Sequence, residues 1–138
     1  MFQNRATTYA ILSVVEIAKQ HAAGTKIGIQ ANEIAETYGL PMAYAAKVMS
    51  QLARSRVLRS DRGPKGGFQL ARDAKEVTLL EVIDAVGSTI DGRLDAEQTV
   101  ALGNVQSGLA DVYGAATDGA REVLGGITVG EFIDKYCK

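Results

Sequence analysis

Ser60-Asp61-Arg62-Gly63-Pro64-Lys65-Gly66-Gly67-Phe68-Gln69-Leu70-Ala71-Arg72 is the stretch on which the reading of this chain turns. Val57-Leu58-Arg59-Ser60 and Phe68-Gln69-Leu70-Ala71 are short strand-like runs. Between them, Gly63-Pro64-Lys65-Gly66-Gly67 supplies the positive φ angles and the rigid turn that a hairpin tip requires. Arg62 and Lys65 make that tip cationic. Glycine there lets the backbone approach a phosphate or a minor groove with no Cβ in the way.

Upstream of the hairpin, Pro41 suits the first turn of a helix, where its missing amide hydrogen costs nothing, and the pattern continues to about Ser55. Tyr44, Val48 and Leu52, with Ala45 and Met49 alongside, form one apolar stripe; Ala43, Lys47, Ser50, Gln51 and Arg54 fall opposite at steps of three and four. Ile29 to Tyr38 carries a shorter helical pattern that Gly39 stops. Two short helices joined at Gly39-Leu40-Pro41 make a helix-turn-helix unit, and a hairpin directly after the second helix is a wing. Thr7 to Gln20 reads as a strongly buried first helix, and Ala22 to Gly28 as a loop or short strand.

Downstream, Thr78-Leu79-Leu80-Glu81 has the Thr-x-x-Glu spacing of a capping box and opens a helix that ends at Gly87. Thr128-Val129-Gly130-Glu131 repeats that spacing before Phe132 and Ile133. Between them Leu102, Val105, Leu109, Val112, Ala116, Gly119 and Val123 recur at alternating steps of three and four, the seam of a helix that pairs with another. Gly103, Gly108, Gly114 and Gly119 each weaken a lone helix by about 1 kcal/mol against alanine, so partner packing is expected to stabilise it. The competing reading is a helix lying on its own domain.

The expected fold is thus mainly α with a small β-hairpin: a winged helix-turn-helix domain over residues 1–87, then a loop, a long dimerisation helix and a C-terminal helix over 88–138. At 138 residues the chain is long enough for a core that needs no staples. With Cys137 as the single cysteine and His21 as the single histidine, neither an internal disulfide nor a tetrahedral Cys/His metal site can be assembled. His21 reads as a surface residue near a helix end, and Cys137 as an exposed tail thiol, with an intersubunit redox bridge as the less favoured alternative. The longest apolar run, Tyr9 to Ala18, is interrupted by Ser13 and Glu16 and suits neither a signal peptide nor a membrane span. A cytoplasmic protein is expected.

Net charge is −1, but its distribution is uneven. Residues 41–75 hold eight cations (Lys47, Arg54, Arg56, Arg59, Arg62, Lys65, Arg72 and Lys75) against two acids, Asp61 and Asp73; the rest of the chain is acidic. Positive charge confined to one quarter of a neutral chain gives it a preferred face for an anionic polymer. An enzyme is disfavoured: no phosphate-binding loop precedes a helix, and no nucleophile stands at a useful spacing from a base.

On these elements the chain resembles the IscR/NsrR/CymR family of bacterial winged-helix regulators. The wing stretch quoted first carries most of the likeness. Ile34-Ala35, Leu40-Pro41 with Tyr44, the run from Val77 to Ile83, and Leu124-Gly125-Gly126-Ile127-Thr128 support it. The resemblance implies a homodimer that places two recognition helices in successive major grooves of a palindromic operator in double-stranded DNA, with wings toward the minor grooves, and a role as a repressor. Recognition then falls to Met42, Ala43, Tyr44, Lys47 and Gln51, with Lys47 and Gln51 the expected base readers. Tyr44 stands between a core role and a phosphate contact. Arg54, Arg59, Arg62, Gly63 and Lys65 are expected on the DNA backbone, Arg62 toward the minor groove. Dimerisation falls to Leu102, Val105, Leu109, Val112, Ala116 and Val123.

Two departures bear on mechanism. Members that sense through an iron-sulfur cluster hold it with three cysteines before the long helix, and Ser88 to Asn104 contains none. The chain therefore resembles the subgroup with no cofactor, responsive to a regulatory protein or a small-molecule effector; Asp91, Asp95 and Glu97 read as a solvated loop. Arg56 stands where relatives commonly place glycine, so a strained turn is expected before the first wing strand. An adaptor that uses this fold to bind a protein partner or to sense an effector is the alternative function.

Overall fold

The computed structural model describes residues 4–24, 28–61, 66–87 and 103–137. In chain order these form α1 (Arg5–Ala22), α2 (Ala31–Tyr38), α3 (Met42–Arg54), β1 (Leu58–Ser60), β2 (Phe68–Leu70), α4 (Leu79–Ala85), α5 (Gly103–Gly125) and α6 (Val129–Tyr136). The described residues are thus mainly helical, with one two-stranded antiparallel sheet.

α1 begins two residues before the apolar periodicity does, because Asn4 caps it. The Asn4 side chain accepts from the Thr7 amide and the Thr7 hydroxyl accepts from the Asn4 amide, satisfying two donors that a bare helix end would leave orphaned. The apolar face of α1, including Ala10, Val14, Ile17 and Ala18, lies at the centre of the core. Val48, Met49 and Leu52 of α3, Ile34 of α2, and Val82 with Val77 and Leu79 around α4 close over it. Ser13, buried on this face, donates to the Tyr9 carbonyl at 2.7 Å, so its burial leaves no orphaned hydroxyl.

α2 is shorter than the periodicity suggests. Ile29 is drawn into a bridge with Phe68, exchanging backbone hydrogen bonds of 2.9 and 2.7 Å. The approach requires the glycine pair beside it: a Cβ on Gly28 would come within 2.9 Å of the Gly67 backbone, and one on Gly67 within 2.7 Å of Gly28. Of the Ala22–Gly28 stretch expected as a loop or short strand, Ala22 closes α1 and residues 25–27 lie outside the described residues, while the bridge itself falls just beyond it, at Ile29. The bridge ties the segment before α2 to the tip-side end of the paired strands.

The two helices of the helix-turn-helix end alike in geometry and unlike in residue. At the end of α2, Gly39 adopts φ +65° and the Leu40 amide reaches back to the Ala35 carbonyl at 2.8 Å. At the end of α3, Val57 reaches back to Leu52 at 3.0 Å, but the left-handed position is held by Arg56 at φ 62°. Among the described residues it is the only non-glycine with positive φ. The strain expected at Arg56 is therefore present in the backbone.

α4 and α6 both open on complete capping boxes, Thr78 with Glu81 and Thr128 with Glu131. The two caps lie together through a Thr78–Thr128 bridge, and Val129 donates to Val77 while being almost wholly buried. α6 thereby returns the chain to the core. α5 reaches that core mainly at its C-terminal end, where Leu124 packs and Arg121 grips Asp84 through two nitrogen–oxygen contacts of 3.2 and 3.1 Å. Among the described residues, no helix is long and apolar enough to cross a membrane.

Candidate nucleic-acid interface

α3 divides as its sequence pattern requires. Ala45, Val48, Met49 and Leu52 are buried, while Met42, Ala43, Lys47, Ser50 and Arg54 are exposed. Lys47 and Ala43 lie one turn apart on the same face, and Arg54 continues it two turns on. Neither Lys47 nor Arg54 has a carboxylate within salt-bridge distance among the described residues. Gln51, at the edge of this face, is half-buried. The structure brings four of the predicted positions (Ala43, Lys47, Gln51 and Arg54) together along the outer side of one helix; Met42, exposed at its head, lies about 140° round the axis from Lys47 and borders a groove with Asn32, Ala35 and Glu36 of α2.

Tyr44 is half-buried and packs edge-on against Tyr9, with ring centroids 5.3 Å apart and planes at 83°. Its ring belongs to the α1–α3 contact, an aromatic geometry that stabilises by about 1 kcal/mol beyond area burial. This contact sets the first turn of α1 beside the head of α3. Arg5, one turn before Tyr9, is exposed there. Arg5 was missed by sequence reasoning because it precedes the apolar periodicity; the Asn-x-x-Thr spacing of Asn4 and Thr7 was the available signal.

The hairpin pairs Leu58 with Leu70, Arg59 with Gln69 and Ser60 with Phe68. On its exposed side Arg59 donates to Gln69 at 2.8 Å, Gln69 donates to Asp61 at 2.8 Å, and the Arg59 and Asp61 charges lie 3.8 Å apart. Arg59 is thus braced across the strands. Its charge remains solvent-accessible, and a bridge this open contributes little to stability. The predicted wing-tip residues Arg62, Gly63 and Lys65 lie outside the described residues, as do Leu102 and the acids Asp91, Asp95 and Glu97.

Not all the local positive charge faces outward unopposed. Arg72 is 3.0 Å from Glu81. Burial alone would push the Glu81 carboxyl up, but the Thr78 amide and the Arg72 guanidinium hold it below the usual range.

Cys137 requires a correction. It is half-buried rather than an exposed tail thiol: its amide bonds to the Ile133 carbonyl at 2.9 Å as α6 ends, and its side chain packs against the core. It lies close enough to Tyr38 to act on that hydroxyl electrostatically. The Tyr38 hydroxyl donates to Glu16 at 2.9 Å; burial, then the bond and charge of Glu16, push its pKa up to about 12. His21 is exposed near the end of α1, as expected. It borders a cleft of about 480 Å³ between α1, the segment after β2, and α6, whose walls include Lys19, Leu70, Lys75, Ile133 and Asp134.

The long helix presents the second surface. None of its described side chains is fully buried. Val105, Val112 and Val123 are 60%, 63% and 63% exposed, and Ala116 is exposed on the same stripe. Leu109, also on the stripe, is half-exposed. Nothing lies within 4 Å of where a Cβ on Gly108, Gly114 or Gly119 would stand.

A family model described as Rrf2, iron-dependent transcriptional regulator, matches residues 3–135. A Mycobacterium tuberculosis protein classed as an HTH-type transcriptional regulator is 30% identical over 121 residues, covering 84% of this chain and 71% of its own length. The HTH-type transcriptional regulator IscR of Escherichia coli is 28% identical over 130 residues, covering 91% and 76%. Among solved structures, CymR, the global cysteine regulator of B. subtilis, superposes with a TM-score of 0.76 at 20% identity, covering 96% of this chain and 95% of that one. T. potens IscR gives 0.71 at 21% identity, covering 96% and 85%. The winged-helix fold is shared with both. The iron of the family's description finds no thiolate cluster site in this chain, whose one cysteine, Cys137, follows the end of α6. Among the described residues no three Cys, His, Asp or Glu side chains converge on a common point.

Proposed function

The chain belongs to the Rrf2 family of transcriptional regulators, and on that premise we propose that it is a sequence-specific repressor that binds a palindromic operator as a homodimer, with no iron-sulfur cluster of its own. The observation that carries this reading is the outer face of α3. Lys47 and Arg54 project from a helix whose other side is locked into the core, which is the geometry a major groove accepts. Lys47 and Gln51 read base edges, Arg54 and Arg59 hold phosphates, and the tip residues Arg62, Gly63 and Lys65 extend the contact toward the minor groove. A second copy of the chain covers the α5 stripe of Val105, Leu109, Val112, Ala116 and Val123, and Leu102 joins that contact.

Selection of duplexes from a random-sequence library tests the reading. An enriched palindromic sequence is expected, with affinity falling steeply as salt rises because several phosphates are neutralised. Lys47→Ala should cost about 1–3 kcal/mol of specific binding and relax preference at one base position. Unchanged discrimination would remove Lys47 from the reading surface.

The effector-sensing alternative draws its support from the cleft beside His21. Its volume lies in the range of small-molecule sites. It also touches both the segment leaving the wing and α6, so a ligand there would bear on both. Enrichment of no duplex, together with tight capture of a protein partner, would favour the adaptor reading.

A further inference from the structure

Among the described residues, most large apolar side chains that are exposed lie on α5 or α6; Met42 is the exception, at the head of α3 and 51% exposed. The segment from Met42 to Ala46 is Met-Ala-Tyr-Ala-Ala, with Lys47 the first charged residue. Met42 and Ala43 are exposed, and Tyr44 turns its ring against Tyr9. The end of the helix that enters a groove first is therefore apolar, and no carboxylate, amide or guanidinium stands on it.

Resting on the duplex-binding reading above, we propose that Met42 and Ala43 recognise thymine through its 5-methyl group. The major-groove edges of guanine and adenine present hydrogen-bonding atoms, and cytosine an amino group beside a bare C5–H, so none of the three offers a methyl for an apolar turn to cover. Thymine alone presents a methyl there, and apolar contact with it is the matching chemistry. The flexible thioether of Met42 adapts to that surface, and burying it removes an apolar group from water. Lys47, one turn further along the face of Ala43, then reaches guanine acceptors a base step or so away. Each half-site so read places thymine beside guanine.

The test uses the full-length protein and the duplex enriched from a random-sequence library, resynthesised with deoxyuridine replacing thymidine one position at a time. Uracil pairs as thymine does and lacks only the methyl. One or two positions per half-site are expected to weaken binding about fourfold each, the effect of one methyl group, and the remaining positions to be silent. In Met42→Ala the penalty at its position should shrink toward onefold. Uracil duplexes that bind as tightly as thymine duplexes at every position would overturn the methyl contact while leaving duplex binding intact. A library that yields no enriched duplex would overturn duplex binding itself and this inference with it.

Discussion

α3 and α5 are both amphipathic helices, yet only one has its apolar face covered. On α3 the stripe of Val48, Met49 and Leu52 is shut against α1, and the polar face is left for solvent and ligand. On α5 the stripe of Val105, Val112 and Val123 stands in water, and it is the neighbouring face, through Leu124 and Arg121, that meets the domain. Burying a valine side chain contributes roughly 1.5–3 kcal/mol. A helix carrying at least three glycines in its interior and so many uncovered valines is a poor structure alone and a good half of a pair. The difference separates two tasks: α3 is positioned by its own chain, and α5, in the proposed homodimer, by another copy.

The sharpest way to break this contrast is to damage each stripe in turn. Leu52→Ala should lower folding stability by about 2–5 kcal/mol, because the site is closed on all sides and a cavity would remain; chemical denaturation reads this directly. Val112→Asp should leave the fold intact and weaken self-association by about 2–5 kcal/mol, the cost of an unpaired charge in an apolar interface. Sedimentation is expected to show a dimer for the parent chain and a monomer for Val112→Asp. If Val112→Asp instead lowers the denaturation midpoint of the monomer as Leu52→Ala does, α5 packs on its own domain and the contrast fails.

A finer comparison is available at the two helix ends. Gly39 and Arg56 occupy equivalent left-handed positions, and only the first is suited to it. Arg56→Gly should relieve roughly 1–2 kcal/mol of left-handed strain and lose part of that to unfolded-state entropy, for a net gain of about 0.5–1 kcal/mol. Chemical denaturation, which reads that gain, should show a loss for Gly39→Ala. A neutral or destabilising Arg56→Gly would mean that the side chain contributes contacts outweighing the backbone cost.

Much of this architecture was legible in the residues because local rules and tertiary packing agree. The Thr-x-x-Glu spacings gave both capping boxes, the period of three and four gave the α3 stripe, and Gly39 gave the turn. The misreadings fall where a distant partner overrules local pattern. Ile29 looks like the start of α2 and is instead claimed by Phe68, a partner thirty-nine positions away. Cys137 looks like a loose end and is held because α6 folds back against α1 and the core. The candidate site was legible in outline on α3, where exposure follows from helical phase. Arg5 escaped notice because its placement depends on the Tyr9–Tyr44 contact, which joins two separate helices.

The central claim is that two copies of the chain, joined along α5, present two α3 helices to one duplex. Sedimentation equilibrium of the protein with its selected duplex measures this directly. Two chains per duplex are predicted for the parent protein, and loss of that stoichiometry in Val112→Asp. A saturated complex holding a single chain, or the same two-chain complex in both proteins, would contradict the account.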